Sequence, residues 1–302
     1  MPLSLLPAAV LLALGASVCW ALANVSVARS TRLVGIFRGL LWAQVAGGVL
    51  AAALALALPR SGPLAAFSLA TLAWLAGAGI ASLLAYLCMF YGLEHGRLSI
   101  AVPIMSAWSV ISTAISVLVF HEPVRPSQLV GGALVIAGVI VVSRHARDAA
   151  RAGEAEQTAW AGPSRRPRWV LASMGAALGF GLLIPAIGRI SAATGPVGCV
   201  ATVFGADILL GLPLAAWLRV DLRPPPRRAL LPVALAGIFE TAGFVLIALA
   251  VGRAPLAVVS PLASLSSALT VFYAWVVLRD RPPPVVFAGA ALACVGVVVL
   301  AL

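Results

Sequence analysis

The sequence of 302 residues contains no lysine, and charged residues make up only 10% of it. Soluble domains carry roughly a quarter of charged residues, so this composition excludes an ordinary water-soluble globule. Nine acidic residues stand against 20 basic ones, all arginine, which gives a formal net charge of +11. A nucleic-acid-binding protein concentrates such charge on one solvated face. Here the arginines lie in short gaps between apolar runs, so the charge does not indicate a nucleic-acid partner.

Residues that bind metals or act as nucleophiles are also scarce. The three histidines lie in predicted loops, without the zinc-binding pattern His-Glu-x-x-His: His95, His121 and His145. The four cysteines lie inside apolar runs, without paired or metal-type spacing: Cys19, Cys88, Cys199 and Cys294. The sequence has no glycine-rich phosphate loop. We therefore expect no metal, no cofactor and no ATP-driven activity, and a membrane enzyme is the less favoured class.

Long apolar runs dominate the sequence, because 62% of the residues are hydrophobic and the mean hydropathy is +1.09. A helix needs about 20 mostly apolar residues to cross a bilayer. Ten runs approach this length: 5–28, 33–58, 67–92, 99–120, 127–143, 169–190, 196–218, 229–251, 256–278 and 285–302. The sequence thus predicts an all-α integral membrane protein of the cell membrane with ten transmembrane helices. The first run lacks a basic residue before its apolar core, so we expect a retained helix rather than a secretion signal.

The longest polar stretch divides the chain into two sets of five predicted helices. It holds Glu154 and Glu156 among several arginines, and its composition is that of a flexible connector. We expect a first repeat over residues 1–143, a basic inter-repeat loop over 144–168 and a second repeat over 169–302.

An alignment of the two halves shows an internal repeat. Identical residues coincide at an offset of 158, namely Pro103 with Pro261, Ser106 with Ser264, Ser109 with Ser267, Gly131 with Gly289 and Gly138 with Gly296. The second helices match at an offset of 163, where Gly48 meets Gly211. A unit of five spans is odd, so the second copy must cross the membrane in the opposite direction. Inverted repeats are typical of secondary transporters, in which the substrate binds near the midplane between the copies.

The stretch from Tyr91 to Val141 and its second copy resemble the EamA family of the drug/metabolite transporter superfamily. The residues that carry the resemblance are Tyr91-Gly92-Leu93-Glu94-His95-Gly96-Arg97, Pro103, Glu122, Gly131-Gly132-Ala133-Leu134 and Gly138, and in the second copy Gly252-Arg253, Pro261, Asp280 and Gly289-Ala290-Ala291-Leu292. Asp280 stands where that family more usually has a glutamate. The resemblance implies a ten-helix transporter of two EamA repeats, whose relatives move amino acids, drugs, sugars and other metabolites.

Two acidic residues lie at the centres of their predicted helices. Asp207 and Glu240 are each eleven residues into their spans, where a charged side chain costs about 3 kcal/mol. The repeat aligns Asp207 with Gln44 and Glu240 with Ser82, so both mirrored positions are polar. We predict that Asp207, Glu240 and Gln44 belong to a substrate-binding or proton-coupling site. The alternative is a structural acid, hydrogen-bonded to a serine or to the backbone at a helix break.

Five aromatic residues near midspan are candidates for the lining of a substrate cavity: Trp20, Tyr86, Trp108, Phe180 and Phe244. The repeat aligns Trp20 with Phe180 and Tyr86 with Phe244. Such a group suits an amine or an aromatic solute. Helix packing is the competing interpretation of each ring.

Arg38 and two prolines complete the candidates. Arg38 lies near the start of the second predicted span, so it either snorkels to the membrane interface or pairs with Asp207, Glu240 or a substrate carboxylate. Pro103 and Pro261 remove one intrahelical hydrogen bond each. Because they occupy equivalent positions, we predict that both are gating kinks.

The arginines also bear on orientation. Fifteen of the 20 lie at the ends of odd-numbered helices or in the loops after them, and four mark the other side. Basic loops favour the cytoplasm, so the charge bias predicts that both termini face outward. The family resemblance implies that both face inward.

Together these features predict a secondary active transporter that works by alternating access. The two midspan acids favour coupling to protons, and a facilitator without coupling is the alternative. We expect the protein to export a small organic metabolite such as an amino acid, an amine or a drug-like solute. Its expected partners are this solute, protons and the lipid bilayer. The alternative is a flippase for lipids or undecaprenyl carriers, because related small transporters handle lipid headgroups.

Overall fold

The computed structural model describes residues 6–57, 68–96, 98–121, 168–276 and 284–301, together with 126–127, 130–134, 137–138 and 141. All the regular structure within these ranges is helical. The predicted inter-repeat loop before Arg168, about half of the predicted fifth span, and both Glu122 and Asp280 lie outside the described residues.

Eleven helices are described over these ranges. Those of the first half are α1 (Leu6–Val34), α2 (Ile36–Ala57), α3 (Leu69–His95), α4 (Leu98–Met105) and α5 (Trp108–Leu118). Those of the second half are α6 (Arg168–Thr194), α7 (Pro196–Trp217), α8 (Arg227–Val251), α9 (Leu256–Ser264), α10 (Ser266–Val276) and α11 (Pro284–Ala301).

Eight stretches of the described chain are long and apolar enough to cross a membrane. Six are single helices, whereas Ile100–Leu118 joins α4 with α5 and Leu256–Tyr273 joins α9 with α10. The last apolar segment, Pro284–Gly296, is shorter than a full span. The all-helical, multi-span architecture is therefore confirmed, while the predicted number of ten spans is not.

The fourth and ninth predicted spans are broken at equivalent places. The sequence predicts kinks at Pro103 and Pro261, but both prolines lie inside helices that end a few residues later, at Met105 and Ser264. The hydroxyl group of Ser106 donates to the carbonyl oxygen of Pro103 at 2.7 Å, and Ser264 donates to Pro261 at 2.7 Å. The breaks occur after the prolines because each serine hydroxyl and a few tighter i to i+3 bonds satisfy the backbone there.

Packing between the halves follows the repeat. The most extensive contact joins α1 to α8, and the next joins their equivalents, α6 and α3. Helices α2 and α7 are equivalents of each other and pack together. Each of these contacts between a helix of the first half and one of the second therefore has an equivalent contact in which the two halves change places.

A close approach of α2 and α8 positions the polar residues at the centre. A Cβ atom at Gly237 would overlap the carbonyl oxygen of Ala43, and one at Gly47 would overlap the hydroxyl group of Thr241. Only glycine lets two helix backbones approach this closely. The contact brings the helix of Gln44 against the helix of Glu240.

Candidate functional site

A cavity of about 500 Å³ opens near the middle of the bundle. The described residues that line it come from both halves: Trp20, Asn24, Met89, Val102, Met105, Ser106, Trp108, Phe180, Ile184, Glu240, Phe244 and Ser266. The structure therefore brings together five of the residues named from the sequence, namely Trp20, Trp108, Phe180, Phe244 and Glu240. We call this space the large cavity.

Aromatic rings form one wall of the large cavity through edge-to-face contacts. The ring of Trp20 lies 5.7 Å from that of Trp108 and 5.2 Å from that of Phe244, centroid to centroid, at 87° and 69°. Aromatic pairs favour such geometry. The indole ring also rests on Gly243, where a Cβ atom would overlap it. Gly243 therefore fixes the position of Trp20.

Tyr86 lies behind this wall rather than in it. Its hydroxyl group donates to Oε1 of Glu240 at 3.2 Å, and its ring packs edge-on against Phe180 at a centroid distance of 5.2 Å. The side chain is buried and does not line the large cavity. Tyr86 thus bonds to the Glu240 carboxyl group without itself lining the large cavity.

Asp207 has a different environment from that of Glu240. Its Oδ2 atom accepts a hydrogen bond from Nε2 of Gln44 at 2.9 Å and another from the hydroxyl group of Ser82 at 2.8 Å. The residue is 1% exposed and lines neither of the two cavities described in this section. Its Oδ1 atom has no hydrogen-bond partner among the described residues. These two contacts join one helix of the second half to two of the first.

A second space of about 210 Å³, which we call the small cavity, lies between α1, α2, α3 and α8. The described residues that line it are Val27, Leu40, Ala43, Gln44, Tyr86, Phe90, Ala236, Gly237 and Glu240. Gln44 therefore faces Glu240 across this cavity while its amide nitrogen is bonded to Asp207. Glu240 alone among the described residues lines both cavities.

Arg38 is not part of this group, and the ion pair proposed with Asp207 or Glu240 is not formed. Its Nε atom donates to the carbonyl oxygen of Arg223 at 2.7 Å, its Nη2 atom donates to that of Pro224, and Nη1 lies 3.9 Å from Asp221. The guanidinium group instead binds the loop between α7 and α8. This loop passes the end of α2 at which Arg38 lies. The contact places the arginine-bearing α1–α2 turn and the α7–α8 loop on one face.

Sequence reasoning missed several of the lining residues. Asn24 offers an amide near the middle of an apolar helix, where its Nδ2 atom donates to the hydroxyl group of Thr270 at 3.2 Å, and this amide was a detectable signal. Met89 and Met105 carried no signal, since methionines in apolar helices are ordinary packing residues. Within the described residues, no cluster of three or more His, Cys, Asp or Glu side chains is placed to hold a metal ion.

Comparison with known proteins gives a consistent result. The family model described as the EamA-like transporter family matches residues 7–144 and 167–302. One crystal structure of a protein aligns with 97% of this chain and 98% of its own at a TM-score of 0.67 and 20% identity, which shows a shared fold. No curated protein sequence matches this chain significantly.

Proposed function

Because the chain belongs to the EamA-like transporter family, we propose that it exports a small organic cation through the large cavity by alternating access. The family is one of transporters rather than of enzymes. The substrate class, the direction of transport and the coupling to protons are the proposal.

The charge of the large cavity is the observation that carries this proposal. Of the described residues that line it, only Glu240 has a charged side chain, and the other polar ones are Asn24, Ser106, Ser266 and the two indoles. An ammonium group would pair with the Glu240 carboxylate, and its apolar body would lie against Trp20, Phe180 and Phe244. An amino acid or a phosphorylated lipid headgroup would bring a negative charge without a cationic partner, which is costly in a buried site.

A single carboxyl group also provides a simple coupling scheme. Glu240 can hold either a proton or the ammonium group of the solute, but not both. If the proton is taken up on one side of the membrane and released when the solute binds on the other, the proton gradient drives export. The hydrogen bond from Tyr86 holds the carboxyl group in place during this exchange.

For orientation we propose that both termini face outward. The contact of Arg38 with the α7–α8 loop supports a shared arginine-rich face, and basic loops favour the cytoplasm. A reporter enzyme that is active only in the cytoplasm should be inactive when fused to the carboxyl terminus. Activity of that fusion would overturn the orientation.

The substrate class is tested with four ligands that share one aromatic body. These are phenethylamine, a cation; 2-phenylethanol, which is neutral; phenylalanine, a zwitterion; and hydrocinnamate, an anion. Thermal unfolding of the purified protein should shift upward with phenethylamine alone, since a ligand at 100 times its Kd stabilises the folded state by about 2.7 kcal/mol. The shift should vanish in Glu240→Gln and persist in Glu94→Gln, whose carboxyl group lies at the end of α3 outside the cavity.

Two results would contradict this proposal. Equal stabilisation by phenylalanine or hydrocinnamate would show that a negative charge is accepted. Stabilisation by undecaprenyl phosphate, without any effect of phenethylamine, would favour the flippase instead.

A further inference from the structure

Two separate spaces meet at one carboxyl group. The large cavity is lined by residues of α1, α3, α4, α5, α6, α8 and α10, and the small cavity by residues of α1, α2, α3 and α8. Their described linings have Glu240 in common and no other residue. Tyr86 lines the small cavity and packs against Phe180, which lines the large one. Glu240 therefore borders both cavities, and Tyr86 and Phe180 pack against each other beside it.

The small cavity is suited to water rather than to an organic solute. Its polar lining residues are Gln44, Tyr86 and Glu240, and the remaining described ones are apolar. A buried water molecule needs two to four polar partners. The amide nitrogen of Gln44 is used by Asp207, which leaves its amide oxygen as an acceptor. With the Glu240 carboxyl group, this gives a water molecule the partners it requires.

Comparison of equivalent positions supports the same conclusion. Ser82 and Asp207 are joined directly by a hydrogen bond of 2.8 Å. Their repeat equivalents are Glu240 and Gln44, which line the small cavity together instead. Ser82 and Asp207 are thus in direct contact, whereas a cavity lies between Glu240 and Gln44.

We propose that the small cavity is a water site through which Glu240 exchanges its proton, separately from the solute route. The Glu240 carboxylic acid gives its proton to this water, which passes it on as hydronium, and the carboxylate that remains pairs with the ammonium group in the large cavity. The titratable groups beside Glu240 are Tyr86, which is bonded to it, and Cys19 on α1. This inference rests on the proposed function in one respect, namely that Glu240 is the coupling group.

The test fills each cavity in turn. Ala236→Leu and Leu40→Phe fill the small cavity from α8 and α2, and both residues are buried. The matched control is Ala78→Leu, because Ala78 is the repeat equivalent of Ala236, is equally buried and lines neither cavity. Ser266→Leu fills the large cavity from α10. Gel filtration identifies the variants that remain folded. Because the two small-cavity substitutions lie on different helices, one of them can still be tested if the other does not fold.

The readout needs no solute. At acidic pH the protonated Glu240 carboxyl group has an infrared band, identified as the one that Glu240→Gln lacks, and this band shifts when deuterium replaces the proton. After transfer to D2O, we expect exchange to slow at least tenfold in Ala236→Leu and Leu40→Phe. It should stay at the wild-type rate in Ala78→Leu and Ser266→Leu. Unchanged exchange in both small-cavity variants, or slow exchange in Ser266→Leu, would overturn the inference.

A second readout separates this inference from the proposed function. Phenethylamine binding should be lost in Ser266→Leu and change less than threefold in Ala236→Leu. If phenethylamine does not bind the wild-type protein, the proposed function fails, while the exchange rates still decide whether the water site exists.

Discussion

Asp207 and Glu240 lie near the centres of α7 and α8, yet of the two only Glu240 lines the large and small cavities. Asp207 is enclosed by Gln44 and Ser82, which bond the same carboxylate oxygen. Glu240 receives one hydrogen bond, from Tyr86, and has open space on two sides. Two acids near the centres of their helices thus have different surroundings: Asp207 bonds to two helices of the other half, and Glu240 lines two cavities.

The largest expected effect is a difference in transport rate between substitutions of the two acids. In vesicles with an imposed proton gradient, Glu240→Gln should reduce phenethylamine transport about 30-fold or more, since loss of a buried charge partner costs about 2–5 kcal/mol. Asp207→Asn keeps a similar shape and should reduce transport much less. A greater loss in Asp207→Asn than in Glu240→Gln would reverse the comparison.

The free energy of unfolding should show the opposite ranking, with the larger loss on substitution of Asp207. Asp207→Ala leaves Gln44 and Ser82 without their acceptor, and buried groups left unpaired cost about 1–3 kcal/mol each. Glu240→Ala leaves only the hydroxyl group of Tyr86, beside open space, and should cost less. Equilibrium unfolding in detergent measures both, with Ser82→Ala as a milder variant of the Asp207 group. An equal or larger cost of Glu240→Ala would show that the two environments do not differ as described.

A third prediction concerns the wall of the large cavity. In Gly243→Ala the added methyl group overlaps the indole ring of Trp20, so the ring must tilt. We expect phenethylamine affinity to fall about tenfold, which corresponds to about 1.4 kcal/mol. Gly77→Ala is the matched control, because a Cβ atom there meets open space on the same type of helix. Unchanged affinity in Gly243→Ala would mean that Trp20 does not contact the solute.

The smallest effect is expected at Arg38. Its guanidinium group binds the α7–α8 loop and not the carboxyl groups, so Arg38→Ala should lower the free energy of unfolding by about 1 kcal/mol. Phenethylamine affinity should stay within twofold of wild type. The control is Arg227→Ala, an exposed arginine at the start of α8. A large loss of affinity in Arg38→Ala would connect this residue to the site after all.

Much of the site was predictable because membranes make polar residues expensive. Asp207, Glu240 and Gln44 stand out in apolar helices, and the repeat identifies Gln44 as the equivalent of Asp207. The roles within the group were not predictable, since hydrogen bonds between α2, α3 and α7 depend on helix rotations that apolar composition leaves undetermined. For the same reason the sequence left open whether Arg38 snorkels to the interface or pairs with an acid, because the rotation of α2 determines which way its side chain points.

An all-helical membrane protein built from two repeats, with an acidic residue at the centre of two of its apolar runs, can be inferred from the sequence alone. Apolar run length, repeat spacing and the cost of charge in lipid are local properties, so they can be seen along the chain. The position of Glu240 between two cavities, by contrast, could be seen only in the folded molecule. This depends on how closely α2 and α8 approach at Gly47 and Gly237, which is a contact between residues far apart in the chain.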